Sequence, residues 1–427
     1  MKRILGLAIC FGTLNLSAQT YLSERTGSNT DFDVEPDFGL CLMGGAGESD
    51  QAMTWFLEKA NGGDVLVIRE GSIGGYNNYM FSELGVTLNS VETIAFQSEE
   101  AATDPYVLQR LAEAEAIWMA GGDQGEYVDF WKDTPVMDAI NDLLNVRGGA
   151  LGGISAGMAV MAQVYFPALL GTVTSEEVLA DPLDNSVLLG YDDFIEAPWL
   201  EGVITETHFN DPDRIRYGRV MGFMARTKFN YEISPRGIAS NEYCAVTINA
   251  DGIARAWGEF PAFDDDYVYF LQENPANTQG PEIMEQDVPL TWIRDEEAVK
   301  VYKVEATVSG ENFFDLNDWA TGDGGEWQDW WVDQGELFMA MGDPLSSTEI
   351  EKASFSVFPN PTVNQLSVEG YESSEIDYEI STLTGQTLLK GTLRKGEKIL
   401  TDELSEGLYL LRLTEDEPVT IRFTKIR

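Results

Sequence analysis

One serine, Ser155, stands inside GGALGGISAGMAVM (148–161), crowded by five glycines and followed by an apolar run. Residues 153–157 satisfy G-x-S-x-G, in which glycines permit a sharp strand-to-helix turn that leaves a hydroxyl exposed. A close-packing turn satisfies the same five residues, so the rest of the chain must decide. A serine hydroxyl needs a base within hydrogen-bond reach before it attacks anything. The chain has one histidine, His208 in VITETHFNDPDRIRYGRV, and serine–histidine chemistry here must use it. Imidazole can take that proton and return it to a leaving amine. Arg214, Arg216 and Arg219 follow in a body poor in bases, and suit either anion recognition or pairing with nearby carboxylates. The third partner should be a carboxylate that fixes the imidazole tautomer. Among 72 acids composition alone does not choose it. Glu242, at the start of the strand-like EYCAVTI after a glycine-bearing turn, suits a rigid orienting group, with Glu206 and Asp211 as rivals.

These residues need elements to hold them. From residue 39 short apolar runs alternate with helical patterns: GLCLMGG, SDQAMTWFLEKA, DVLVIRE, VETIAFQ, PYVLQRLAEAE and AIWMAGGD. That alternation predicts an α/β domain of three layers, a mostly parallel sheet covered on both faces. In such sheets ligands bind beyond the C-terminal strand ends. Three glycine-rich strand ends fall there: Gly44-Gly45-Ala46-Gly47, Gly121-Gly122-Asp123-Gln124 and Gly153-Ile154-Ser155. Beyond about residue 245 the pattern turns to antiparallel strand sequence, predicting a β-rich extension over 261–350 of an α/β domain over 37–260. Within it DLNDWATGDGGEWQDWWVDQG (315–335) reads as a surface loop whose spacing fails the calcium-loop pattern.

The formal net charge is −45, a field that repels nucleic acid and anionic lipid surfaces and favours cationic or zwitterionic partners. Residues 1–18 carry a basic start, an apolar stretch and Leu16-Ser17-Ala18, and read as an export signal cleaved near Ala18. Bulky Ile9 before Cys10 speaks against lipidation there. Residues 19–36 form a polar lead-in, and no later apolar stretch reaches the ~20 residues that span a bilayer. After cleavage Cys41 and Cys244 remain; both read as buried free thiols, too few for a cysteine zinc site. Acids outnumber bases several-fold before residue 352, and the two nearly balance over 352–427. The last segment, 351–427, reads as a small β-sandwich-like module with turns at Thr384-Gly385 and Gly407. It resembles the C-terminal sorting domain that Bacteroidetes-type bacteria use for outer-membrane secretion, through Pro359-Asn360-Pro361, the Gly385 turn, Gly407-Leu408-Tyr409 and the basic end Lys425-Ile426-Arg427. The resemblance implies an outer-membrane secretion machinery as partner, and a secreted or cell-surface destination reached through the periplasm.

The order GGDQ, GGISAG, THF with R-x-R-x-G-R, then GIASNE, over roughly 37–315, resembles the cyanophycinase and aspartyl-dipeptidase family of serine peptidases. That family is similar in fold to class I glutamine amidotransferases but uses serine; neither mature cysteine here occupies the glycine-rich elbow. The resemblance implies Ser155 as nucleophile, His208 as base and Glu242 as orienting carboxylate. It implies an oxyanion site from the backbone amides of Gly122, Asp123 and Ala156. It further implies substrate contacts from Gln124, Arg214, Arg216 and Arg219, with no cofactor and no metal. The chain departs from the family at Thr207, where glutamine is usual, at Asn241, where aspartate is usual, at GGISAGM, and in the spacing of NDPDR. The catalytic three are retained while the pocket is altered. The expected activity is hydrolysis of cyanophycin or a similar aspartate/arginine polymer at β-Asp-Arg units. The alternatives are a peptidase for other Asp-containing peptides, or a surface binding protein using Trp327, Trp330 and Trp331. Oligomeric state is not readable; a dimer is compatible with the sequence.

Overall fold

The computed structural model describes residues 19–212, 215–345, 356–358, 360, 362–369, 375–382, 387–402, 404–405, 407–414 and 418–425. The export signal, Arg214, Pro359, Pro361, the Thr384-Gly385 turn and Ile426-Arg427 lie outside the described residues. The chain divides into two units, Met1–Leu345 and Ser346–Arg427.

In chain order the first unit's strands are β1 (Tyr21–Gly27), β2 (Gly39–Met43), β3 (Asp64–Glu70), β4 (Ser90–Phe96), β5 (Ala116–Met119) and β6 (Ala150–Ile154). Then come β7 (Val164–Tyr165), β8 (Gly190–Tyr191), β9 (Val203–Glu206), β10 (Arg236–Ser240), β11 (Ala245–Ile248) and β12 (Ile253–Phe260). The rest are β13 (Tyr267–Glu273), β14 (Val299–Glu305), β15 (Phe313–Asp315), β16 (Gly322–Asp323), β17 (Gly325–Asp333) and β18 (Glu336–Met341). One sheet runs β1-β4-β3-β5-β6-β2-β11-β12-β15-β16, the other β18-β17-β14-β13-β10-β9-β7-β8.

The expected mostly parallel sheet needs correction, because both sheets are mixed. Only β4-β3-β5-β6-β2 and β10-β9-β7 are parallel. The remaining neighbours, among them β2–β11, β11–β12 and β10–β13–β14–β17–β18, pair antiparallel. For β11 and β12, connection length is the reason. Parallel neighbours need a crossover of about a dozen residues or more, whereas β11 reaches β12 through a tight turn in which Gly252 N donates to Asn249 O at 3.0 Å.

The parallel block is covered on both faces, as period-2 alternation of apolar residues dictates. Leu40, Leu42, Leu66, Ile68 and Ile117 face a core shared with Val107 and Leu111 of one helix and Val136 and Ile140 of another. Cys41, Met43, Val65 and Val67 face the opposite way, against Met53, Phe56 and Leu57. The second sheet presents Val268, Phe270 and Val304 to the first core. Its other side packs on Val220, Met221, Phe223 and Met224 of helix Tyr217–Tyr231. Cys41 and Cys244 are free and buried, and burial pushes both thiols up.

The tryptophan-rich run 315–335 is not the surface loop its composition predicts. It supplies β16 and β17, and Trp319, Trp327 and Trp330 are 1%, 8% and 1% exposed. In β17 the buried residues Trp327, Asp329, Trp330 and Val332 interrupt a polar sequence, a strand signal hidden under acids and glycines. In the C-terminal unit, two sheets, one of Ser356–Phe358, Gln365–Glu369 and Lys398–Leu400 and one of Glu375–Thr382, Thr387–Arg394, Gly407–Thr414 and Pro418–Lys425, are antiparallel throughout. They share a core that includes Leu366, Ile380, Leu411, Leu413 and Phe423.

At the N-terminal edge of the parallel block Glu115 is 4% exposed and accepts the backbone N–H of Asp64 at 2.6 Å. Burial, with the nearby charges of Asp64 and Asp31, raises its carboxyl to about 7. The folded state therefore holds this proton more tightly than the unfolded chain. Stability from this group is full below its unfolded value near 4.5 and is lost as pH rises through about 7. Glu115→Gln keeps an acceptor for Asp64 and removes the charge. It should match the wild type at pH 4 and exceed it at pH 8 by about 1–3 kcal/mol in thermal unfolding; a variant less stable at pH 8 would contradict this.

Candidate active site

The C-terminal end of β2 presents three consecutive carbonyls to three different loops. Ser155 N donates to Met43 O at 3.1 Å, His208 N to Gly44 O at 2.9 Å and Tyr243 N to Gly45 O at 2.9 Å. The loops come from both sheets: Ser155 follows β6 and Tyr243 precedes β11, the two neighbours of β2, whereas His208 follows β9 of the second sheet. Gly45 has φ 133°, a left-handed value that disfavours side chains. A Cβ there would overlap the imidazole of His208. The glycine lets the ring lie directly on the loop.

Ser155 occupies a turn with φ 52° and ψ −111° between β6 and helix Ala156–Ala159. Gly157 packs so closely under it that a Cβ would overlap Met119 O. His208 and Tyr243 also have positive φ, 48° and 62°. Strained residues cost about 1–3 kcal/mol each and gather at functional sites; here three stand on one strand end. Ser155 Oγ lies 2.8 Å from His208 Nε2, and His208 Nδ1 lies 2.6 Å from Glu242 Oε1. A carboxylate against Nδ1 selects the tautomer protonated there, leaving Nε2 to accept the serine proton. The side chains of His208 and Glu242 are 21% and 23% exposed, so solvent and a substrate reach them.

The other expected residues divide. The loop carrying Gly122 and Asp123 runs beside the serine: a Cβ at Gly121 would sit 3.7 Å from Ser155 Cβ. Both residues are exposed. The Asp123 side chain caps helix Gln124–Trp131 by accepting from Gly125 N at 2.8 Å. Gln124 is half-buried, and its amide donates to Phe166 O at 3.4 Å. Ala156 is buried and opens its helix, where the first N–H groups have no intrahelical partner.

The arginines are not one cluster facing outward. Arg216 Nη1 donates to Thr207 O at 3.0 Å and Thr207 Oγ1 at 3.2 Å. Arg219 is 3% exposed and makes the carboxylate pairing that its sequence context allows beside anion recognition. Its Nε donates to Glu206 Oε2 at 2.8 Å and its Nη2 to Glu206 Oε1. Its Nη1 donates to Thr172 Oγ1 at 3.1 Å and Val173 O at 3.3 Å. A buried guanidinium needs all its donors met, and Glu206 meets two of them. Glu206 is thereby removed as a rival for the imidazole.

Sequence reasoning missed Asn210 and an acidic cleft. Asn210 Oδ1 accepts the backbone N–H of Glu242 at 2.8 Å, and its Nδ2 donates to Asp265 Oδ2 at 2.9 Å. An asparagine two residues past a histidine carries no distinctive signal. The cleft, about 680 Å³, is lined by Glu48, Asp50, Glu242, Glu259, Asp265 and Asp266, by Tyr243 and Phe263, and, among the described residues, by no basic one. Tyr243 and Phe263 are 59% and 56% exposed. Carboxylates and open aromatic faces both attract cations.

Residues 75–177 match Peptidase family S51, and residues 356–426 match the secretion system C-terminal sorting domain. The cyanophycinases of Trichormus variabilis and of a Nostoc species are each 30% identical over 155 residues, 36% of this chain and 46% of theirs. That of Geminocystis herdmanii is 26% identical over 187 residues, 41% of this chain and 64% of its own length. The chain thus spans about half the length of the first two relatives. A peptidase from an acI-B1 Actinobacterium superposes with a TM-score of 0.39 at 16% identity, covering 56% of this chain and 93% of that one. Residues 75–177 are thus similar, at low identity, to S51 and cyanophycinase-like peptidases, and the C-terminal sorting domain puts the chain on the secretion route to the cell surface.

Proposed function

We propose that the chain is an exported serine peptidase in which Ser155 is the nucleophile. The observation that carries this is the continuous pair of contacts, Ser155 Oγ to His208 Nε2 at 2.8 Å and His208 Nδ1 to Glu242 Oε1 at 2.6 Å. Nε2 takes the hydroxyl proton as Oγ attacks the scissile carbonyl, and Glu242 stabilises the imidazolium that forms. The backbone amides of Gly122, Asp123 and Ala156 receive the tetrahedral oxyanion, a contribution of about 3 kcal/mol per donor. Nε2 then gives its proton to the leaving amine. A water attacks the acyl-enzyme by the same relay, regenerating Ser155 and releasing the acid.

The substrate read from the cyanophycinase likeness is an aspartate polymer bearing arginine on its side-chain carboxyls, cut at β-Asp-Arg links. The five carboxylates that line the cleft beside Glu242 suit the guanidinium groups of such a polymer. The burial of Arg219 favours a second reading, a peptidase for other Asp-containing peptides, because it leaves fewer cations for an aspartate carboxylate. A binding role for Trp327, Trp330 and Trp331 has less support, since the first two are buried and the third is half-buried and stacked on Phe338.

Two outcomes are expected. A fluorophosphonate probe should label Ser155 in the wild type, with labelling abolished in Ser155→Ala and slowed about 10²–10⁴-fold in His208→Ala; absence of labelling on folded wild-type protein would overturn the nucleophile. Incubation with cyanophycin should release β-aspartyl-arginine, detected by mass spectrometry. Turnover of α-aspartyl peptides alone would transfer the assignment to the second reading.

A further inference from the structure

We infer that Asn210 is a positioning residue for Glu242, anchored by Asp265, so that the connection between β12 and β13 completes the proton relay. The inference rests on Ser155 being the nucleophile. Glu242 belongs to neither sheet: it lies between the end of β10 and the start of β11, where the chain passes from one sheet to the other. No strand pairing fixes it there. Its backbone N–H is held instead by Asn210 Oδ1 at 2.8 Å.

Asn210 has two amide ends with opposite polarity, and the structure uses both. The oxygen faces the N–H of Glu242, and the nitrogen donates to Asp265 Oδ2 at 2.9 Å. A second strut reaches the same place: Asn241 Nδ2 donates to Asp265 O at 2.6 Å. Asp265 therefore receives one bond from the His208 loop and one from the Glu242 loop. Asn210 and His208 are two residues apart on one loop, so the strut ties the imidazole and its carboxylate to a common anchor. Chemical polarity makes this directional. An aspartate at 210 still accepts from Glu242 N–H but faces the Asp265 carboxylate with like charge, which disfavours the contact. Aspartate at 210 together with asparagine at 265 reverses the donor and acceptor and restores the chain of bonds.

The test measures the second-order rate of fluorophosphonate labelling, the final extent of labelling and the thermal unfolding midpoint for wild type, Asn210→Ala, Asn210→Asp, Asp265→Asn and the double variant N210D/D265N. Asn210→Ala and Asn210→Asp should label about 10- to 100-fold more slowly, as misplacement of a catalytic group costs, while reaching full extent. The double variant should recover to within about threefold of wild type, the coupling expected of residues in one network. Wild-type rates in the single variants, or a double variant no faster than Asn210→Asp, would overturn the inference while leaving Ser155 as nucleophile intact. A wild type that does not label at all would overturn both. If Asn210→Ala fails to fold, the comparison of Asn210→Asp with the double variant decides.

Discussion

Three backbone hydrogen bonds at the end of β2 set the geometry on which the site depends. The carbonyls of Met43, Gly44 and Gly45 hold the amides of Ser155, His208 and Tyr243 at 3.1, 2.9 and 2.9 Å. The three carbonyls lie on consecutive residues where β2 ends and turns at Gly45, so the loops that follow β6, β9 and β10 meet at one place. The contacts of 2.8 Å and 2.6 Å through the imidazole are the consequence. Positive φ at Ser155, His208 and Tyr243 shows that each loop bends sharply to meet the strand end. Such strain persists only where surrounding bonds over-determine the conformation.

The mixed sheets are part of this design. β2 has β6 parallel on one side and β11 antiparallel on the other. The C-terminal end of β6 and the N-terminal start of β11 therefore arrive at the same edge, bringing Ser155 and the Glu242 segment to one place. In the second sheet β9 and β10 run parallel, which puts His208 and Glu242 each two residues beyond a strand end. Phe209 N bonds Ser240 O at 3.2 Å across these ends. A wholly parallel sheet would send the start of β11 to the opposite edge, away from the serine. The site thus lies where the chain crosses between sheets, which also explains why side chains such as Asn210 are used there in place of strand pairing.

What the sequence made legible follows from scarcity and local pattern. A chain with one histidine leaves no choice of imidazole, and glycines at strand ends mark where backbone must approach closely. The parallel block was readable because its apolar runs are separated by helical patterns. The antiparallel texture beyond residue 245 is legible too, but not that its strands join the same sheets as the parallel block, because strand pairing between distant segments is set by the fold. The sequence leaves Arg219 open between anion recognition and carboxylate pairing because its partner Glu206 is one of 72 acids and is joined to it only through the fold. The tryptophans of β17 were hidden for a similar reason, since acids and glycines between buried rings look like loop composition until a neighbouring strand pairs with them. Thr207 has its carbonyl and hydroxyl held by Arg216, a contact between residues nine apart that their spacing does not announce.

Because the untagged chain contains a single histidine, proton and nitrogen magnetic resonance of its imidazole reads the relay without assignment ambiguity. The account predicts one strongly downfield, exchange-protected proton on Nδ1, an unprotonated Nε2 that accepts from a hydroxyl, and loss of the downfield signal in Glu242→Gln. A proton carried on Nε2, or an imidazole resonance indifferent to Glu242→Gln in a folded protein, would contradict it.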